Sequence, residues 1–487
     1  MQQAAFFEKI RKNQGRMNML TFDTKTPEEC AIPGKAVEEM DKRMERLGIH
    51  IHGYLLLSGK SIIAERYWEP YGRDVIHRMY SITKSFAALA VGLLEKEGRI
   101  SLEDKICQYF PELLPEDGGH PWCLEMTIRD MLSMRTCYGS TTFKRYGDGD
   151  WTESFFRVEP DHVPGTVFSY DTSSAHVLAA LVEKLTGMEM LDYMREKVLD
   201  KLGFSKEAYI MKDPSGVSQG GSGMVCTLRD VAKVAYLCNQ GGILDGEELL
   251  PGEFLREAVA CQTPTDVQPT LDEQCGYGYM IWMPREDGFV FYGMGGQLAV
   301  CFPELDFCYL TMADTIGNPA GLQMLYDCFY DTVYPCLKER RGKALTVGKN
   351  LGQDVPDGEW EKRLREETQN VSYTFYPNQM QWSSLCFDWQ KGRLSFVLPL
   401  GEAQLDFGGG DWVRGQKFPG TDYACECKGY WKMGHFLLQC YVTDEEQGHV
   451  SMDFAWKDER LSVRMVSTNE EYFAFFKGFG SAHRQKE

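Results

Sequence analysis

The sequence predicts an α/β (α+β) unit whose sheet is split between the two ends of the unit, followed by a separate all-β unit. Three observations carry this prediction. Apolar spacing runs from period two to helical period and back to period two before residue 342. A charged segment with Gly352, Pro356, Asp357 and Gly358 then interrupts the pattern, and beyond it short alternating runs recur at regular spacing. Finally, 487 residues suffice for two or three domains, each with its own core. Apolar residues at 43%, charged at 25% and aromatic at 13% describe a globular chain and exclude a disordered or fibrous one.

The elements follow in order. Residues 1–28 read as a polar lead-in, and Pro33 and Gly34 open a helix through Val37, Met40, Met44 and Leu47. Two strands, 49–57 and 61–68, form a hairpin across Ser58-Gly59-Lys60. Over 80–98 the residues Phe86, Leu89, Ala90, Leu93 and Leu94 make a helix buried on one face, stopped by Gly98. Gly, Pro and Asp clusters surround a short helix at 127–134, and Val177, Leu178, Leu181, Val182 and Leu185 mark another helix ending at Gly187. Strands are expected at 278–283, 289–292, 297–302 and 307–313, and a helix at 322–334. The domain boundaries expected are 1–28, 29–342, a linker at 343–370, and a β unit at 371–487 with strands at 382–389, 393–398, 435–442, 449–456, 460–466 and 471–476.

Charge and cysteine usage limit partners and compartment. With 52 Lys and Arg against 71 Asp and Glu the net charge is −19, which repels phosphate backbones and anionic bilayers, so no nucleic acid and no membrane partner is expected. The sixteen cysteines form no C-x-x-C pair, consistent with reduced, buried thiols and a cytoplasmic protein. Lys9, Arg11, Lys12 and Arg16 break up the N-terminal apolar residues, unlike a secretory signal.

Several motifs are missing. Ser222, in Gly220-Gly221-Ser222-Gly223-Met224, fails as a G-x-S-x-G elbow, and there is no H-E-x-x-H, P-loop or dinucleotide fingerprint. His50 and His52 share a strand face but have no third ligand nearby, and His176 reads as a packing residue. What remains is Ser81-Ile82-Thr83-Lys84 at a helix start. Positions i and i+3 share a face, so the amine reaches the hydroxyl. A serine needs such a base, a desolvated lysine can supply it, and free N–H groups at the helix N-terminus stabilise an oxyanion. The bland alternative is an N-cap serine followed by a solvated lysine.

Context decides between them. MYSITKSFAALAVGLLEKEGRISLEDKICQYFPE, TIRDMLSMRT, PGTVFSYDTSSAHVLAALVEKLTG, GGSGMVCTLRDVAKVAYLCNQGGILDGEELLP and YGMGGQLAVCFPELDF, in that order over residues 30–335, resemble the serine β-lactamase-related superfamily, nearest its carboxylesterase and 6-aminohexanoate-dimer-hydrolase branch. The resemblance implies a β-lactamase/transpeptidase-like domain, an antiparallel sheet flanked by helices, with Ser81 as nucleophile, Lys84 as its lysine and Tyr170 as general base or proton relay. A phenol works near neutral pH only if a cation favours phenolate, and Lys84 would supply that charge. Thr172 stands at the family's asparagine, and its hydroxyl is expected to contact lysine and substrate. Met294-Gly295-Gly296 occupies the third motif with Met294 in place of the cation, which disfavours β-lactamase or D-amino-acid peptidase activity. The backbone N–H groups of Ser81 and Gln297 are implied as the oxyanion hole. Thr227 reads as a helix N-cap, and residues 146–151 (Tyr146 to Trp151) as a candidate lid.

The function expected is a serine hydrolase acting through an acyl-enzyme on a small ester or amide, with no metal or organic cofactor. The alternatives are a non-hydrolytic sensor on the same scaffold and a β-lactamase or peptidase. The C-terminal unit resembles lipocalin-like barrels of some relatives, which implies a part in the substrate entrance or in a homodimer contact.

Overall fold

The computed structural model describes residues 19–147, 149–340 and 358–485. Most of the lead-in, Asp148 of the candidate lid and the first half of the expected linker lie outside these residues. The six-stranded sheet runs Asp23–Thr24, Ser61–Tyr67, Ile51–Ser58, Phe307–Ala313, Gln297–Phe302, Phe289–Gly293, so the hairpin near one end of the unit pairs with strands from its other end. Pairing is antiparallel except at Asp23–Thr24, which the lead-in contributes as a parallel edge. Two interior strands, Gln297–Phe302 and Phe307–Ala313, are buried along their whole length, because helices cover both faces. Phe302, Phe307 and Tyr309 meet Phe329 of the helix Gly321–Tyr330, with Tyr309 stacked at 4.6 Å. On the other face Cys301 meets Ala235 of the helix Leu228–Asn239, which Thr227 and Asp230 start with a reciprocal capping box.

The helix Ile82–Lys96 departs from its expected environment. Every residue from Ile82 to Leu94 is buried, so the helix is a central strut and not a one-sided amphipathic element. Its small residues Ala87, Ala88, Ala90 and Gly92 permit close approach on the faces that lack leucine or phenylalanine. It packs against the helix Thr172–Thr186 and the strand Phe289–Gly293. Residues 278–283 form no strand: Met280 takes a left-handed φ of 54°, and only isolated bridges join Tyr277, Trp282 and Val290. The expected helix at 322–334 is two helices, Gly321–Tyr330 and Val333–Arg340.

The C-terminal chain forms an eleven-stranded, nearly closed barrel around a second hydrophobic core. Its first strand, Ser372–Phe375, pairs with its last, Gly478–Arg484. Alternation is clear in Ala424–Lys432, where every second residue is buried. The edge strands Gly401–Asp406 and Val413–Lys417 share no ladder, and the Gln416 side-chain amide bridges the seam, contacting Asp406 N and O at 2.8 and 2.7 Å. Residues 471–476 are not a strand but a short 3-10 turn, Glu471–Phe473, that buries Phe473 and Phe476 in the barrel. In the expected linker, Glu359–Thr368 is a helix. No helix among the described residues is long and apolar enough to cross a membrane.

Candidate active site

Ser81 sits at the N-cap position of the central helix, yet its side chain makes no capping hydrogen bond. Its oxygen lies 3.0 Å from Nζ of Lys84 instead. Lys84 is 1% exposed, so neither half of the bland alternative holds. The residue before Ser81, Tyr80, has a left-handed φ of 47°, a conformation costing a bulky side chain on the order of 1–2 kcal/mol. The turn is held in place by its surroundings. Met79 N donates to Met224 O at 2.9 Å, Met224 N donates to Thr83 Oγ1 at 2.9 Å, and His77 and Arg78 pair with Cys226 and Val225. Among the described residues the Ser81 N–H donates to no backbone carbonyl, as a free donor at a helix start should.

Beyond its own helix, Lys84 meets groups from two other segments. Its Nζ donates to Gly221 O at 2.6 Å, lies 3.4 Å from Thr172 Oγ1, and stands 4.9 Å from the centre of the Tyr170 ring. The absent side chain of Gly221 has a purpose here. A Cβ at that position would lie 2.4 Å from Thr172 Cγ2 and 2.7 Å from Thr172 O, so only glycine lets its carbonyl reach the lysine. Burial holds the Lys84 amine down to about 7, opposed by the charge of Asp171 and assisted by that of Lys144. Asp171 caps the helix Thr172–Thr186 by accepting from Ser173 N and Ser174 N, and burial pushes its carboxyl up to about 6.

The Ser81 side chain acts on the Tyr170 phenol, and Lys84 Nζ stands by both the serine oxygen and the Tyr170 ring, so the phenol, the serine and the lysine are gathered in one place. Burial raises the Tyr170 phenol above its ordinary value, more than the neighbouring Ser81 side chain lowers it, which favours the protonated form and not the expected phenolate. Trp282 and Tyr277 wall Tyr170 at ring distances of 5.6 and 6.2 Å.

The third expected motif arrives as a hairpin tip. Gly293 packs against the Met79 carbonyl, which brings the tip beside the Ser81 turn. Gly295 and Gly296 take φ of 86° and 91°, open to glycine but strained for other residues. Met294 is 48% exposed, and its carbonyl accepts from Gln297 Nε2 at 3.0 Å. The same buried amide donates to Ala313 O at 2.8 Å and accepts from Ala313 N, pinning the tip to the adjacent strand. The expected lid is partly helical: Asp150 caps the helix Trp151–Arg157, and Trp151 stacks on Phe143 at 4.0 Å.

The segment before Tyr170 is gripped by the barrel, which no sequence signal indicated. Arg464 Nη1 donates to Phe168 O at 2.9 Å, Lys457 Nζ to Pro164 O at 2.8 Å, and Val163 N to Ser481 Oγ at 3.0 Å, while Phe479 stacks on His162 at 4.8 Å. Away from the site, His52 Nδ1 lies 2.9 Å from Nε2 of His77 and stacks on Tyr71, and the pair His50 and His52 gathers no third ligand among the described residues. His176 is buried with its Nε2 3.1 Å from Asp213.

Known proteins share this framework. A 6-aminohexanoate-dimer hydrolase of Paenarthrobacter ureafaciens is 25% identical over 256 residues, 49% of this chain and 65% of its own length. An esterase, EstB, of Burkholderia gladioli is 26% identical over 184 residues, 34% of this chain and 46% of its own. The chain thus spans less than two thirds of either relative. Among solved structures, a penicillin-binding protein homologue from Caulobacter crescentus superposes with a TM-score of 0.50 at 15% identity, covering 61% of this chain and 97% of that one. SurE superposes with a TM-score of 0.52 at 13% identity and covers 93% of this chain and 99% of its own. The Beta-lactamase family model matches residues 38–321, more than half of the chain and the whole of the site from Ser81 to Gln297, and the chain belongs to that family.

Proposed function

We propose that the protein is a serine hydrolase that cleaves a small ester or amide through an acyl-enzyme on Ser81. The observation that carries this reading is a buried lysine, held down to about 7, with its Nζ 3.0 Å from the oxygen of a half-buried serine. An amine of that pKa is substantially neutral at physiological pH and accepts the serine proton as the carbonyl is attacked. Lys84 is therefore the initial base. Tyr170, kept as a phenol beside the serine, hands a proton to the leaving group and recovers one from Lys84. Thr172 and Gly221 O hold the amine in place. The N–H groups of Ser81 and Gln297 receive the oxyanion, each worth about 3 kcal/mol in the transition state if it behaves as such donors do. Deacylation runs the same steps with water in place of the leaving group, using only groups of this chain.

The names of the relatives, a dimer hydrolase and an esterase, support ester or amide cleavage. The methionine at position 294 supports neither docking of a β-lactam carboxylate nor the peptidase alternative. All sixteen cysteines are free thiols, which supports a reducing, cytoplasmic setting. The test is a panel of activated esters and amides with intact-protein mass after a fluorophosphonate. Wild type should turn over at least one substrate and gain one adduct at Ser81. Ser81→Ala should lose turnover by about 10⁴-fold or more with its fold intact. Undiminished hydrolysis in that variant refutes the assignment, and an adduct without any turnover favours a sensor.

A further inference from the structure

The barrel holds a chemical group that the hydrolase reading does not use. Cys425 and Cys427 lie two apart on Ala424–Lys432 and so face the same side, and Cys440 on His435–Thr443 stands directly opposite Cys427 in the antiparallel register. All three are fully buried, and their sulfurs lie within 4.8 Å of one another. Among the described residues this is the one cluster of three potential metal-ligating side chains.

We infer that Cys425, Cys427 and Cys440 form a binding site for a soft metal ion, Cu(I), held by three sulfurs inside the barrel wall. A metal–thiolate bond of about 2.3 Å places sulfurs sharing one ion about 4 Å apart, which the cluster meets with closure of under about 1 Å. Sulfur ligands select Cu(I) and Zn(II) over harder ions. Structural Zn(II) takes four ligands, and no fourth Cys, His, Asp or Glu joins this group among the described residues. Each cysteine that binds as thiolate passes its proton to solvent, and no change of oxidation state is involved. On the neighbouring strand Val413 lies opposite Cys427 and Gln416 opposite Cys425, with an irregular register between them, and this strand forms one lip of the seam bridged by the Gln416 amide.

The experiment uses the full chain, reduced and stripped of metal, loaded anaerobically with Cu(I) and then challenged with a Cu(I)-specific chelator. The expected result is one retained Cu(I) per chain, a sulfur-to-copper charge-transfer band in the near ultraviolet, and three sulfur neighbours by X-ray absorption. Retained copper should fall about tenfold or more in Cys427→Ser and in Cys440→Ala and should be unchanged in Cys261→Ser, whose thiol lies outside the cluster. X-ray absorption on the wild type needs no variant, so a misfolded substitution does not blunt the test. No retained copper, a two-sulfur site, equal retention by the cluster variants, or tighter retention of Zn(II) under the same challenge each overturns the assignment.

Discussion

The turn Ser81–Lys84 and the segment 162–172 meet at the candidate site but are held by different means. Ser81 and Lys84 belong to one turn of a helix buried on every side, so their relation is set by helical geometry and by packing of adjacent residues. The segment 162–172 is an irregular arm with a turn at Pro164 and Gly165, and Arg464, Lys457 and Ser481 of the barrel hold its backbone through three hydrogen bonds. The proposed nucleophile and base thus form a local device, whereas the arm that carries the proposed relay Tyr170 is held by a barrel residue, Arg464, more than 290 residues away in sequence. Disturbing each region separately should therefore damage the chemistry in different ways.

The largest effect is expected within the local device. Lys84→Met should lower kcat/KM by about 10²- to 10⁴-fold, the range for loss of a positioned base, while thermal stability stays level or rises because a costly buried amine is gone. The pH dependence has a definite sign. The folded-state value is depressed to about 7 from 10.5, so the active neutral amine predominates above about pH 7, and kcat/KM should fall tenfold per pH unit below it. Between these two values the unfolded chain binds a proton that the folded chain does not, so this group's contribution to stability rises with pH across the window. A denaturant-melt series against pH should show that slope in wild type and lose it in Lys84→Met; the same slope in both would remove Lys84 as its source.

Smaller losses are expected across the arm. Tyr170→Phe should cost about 10²-fold in kcat while leaving the pH midpoint near 7, since the midpoint belongs to Lys84. A midpoint that moves with the phenol would transfer the base role to Tyr170. Arg464→Met, the mildest of the three, should lower kcat by about tenfold through displacement of the Phe168 carbonyl and Tyr170 behind it. Its KM and pH midpoint should change little, a split that a general loss of folded protein would not produce. Unaltered kcat would show that the barrel's grip does not position the relay.

Some of this arrangement was legible in the residues. The i, i+3 relation of Ser81 and Lys84, the capped helix after Thr227 and the glycine stops at Gly98 and Gly187 are short-range features that the chain imposes on itself. Other readings failed where tertiary packing overrides local pattern. The apolar run at 278–283 has strand composition, but Met280 turns left-handed and the run wraps round the site wall. The aromatic run at 471–476 packs as a plug in the barrel and not as one of its staves. The charged stretch expected as a linker at 343–370 carries a helix, Glu359–Thr368, in which Glu361 closes a cap on Gly358.

Spacing and composition were enough to identify a serine and an amine on one helical face, a split sheet and a second β unit, because each of these depends on residues close in the chain or on repeated periodicity. The direction in which Lys84 and Tyr170 titrate, the glycine gap through which Gly221 reaches the amine, the barrel's hold on the Tyr170 arm and the convergence of three thiols were decided only by the tertiary structure. These depend on desolvation and on contacts between distant segments, quantities that exist only once the chain has closed around them.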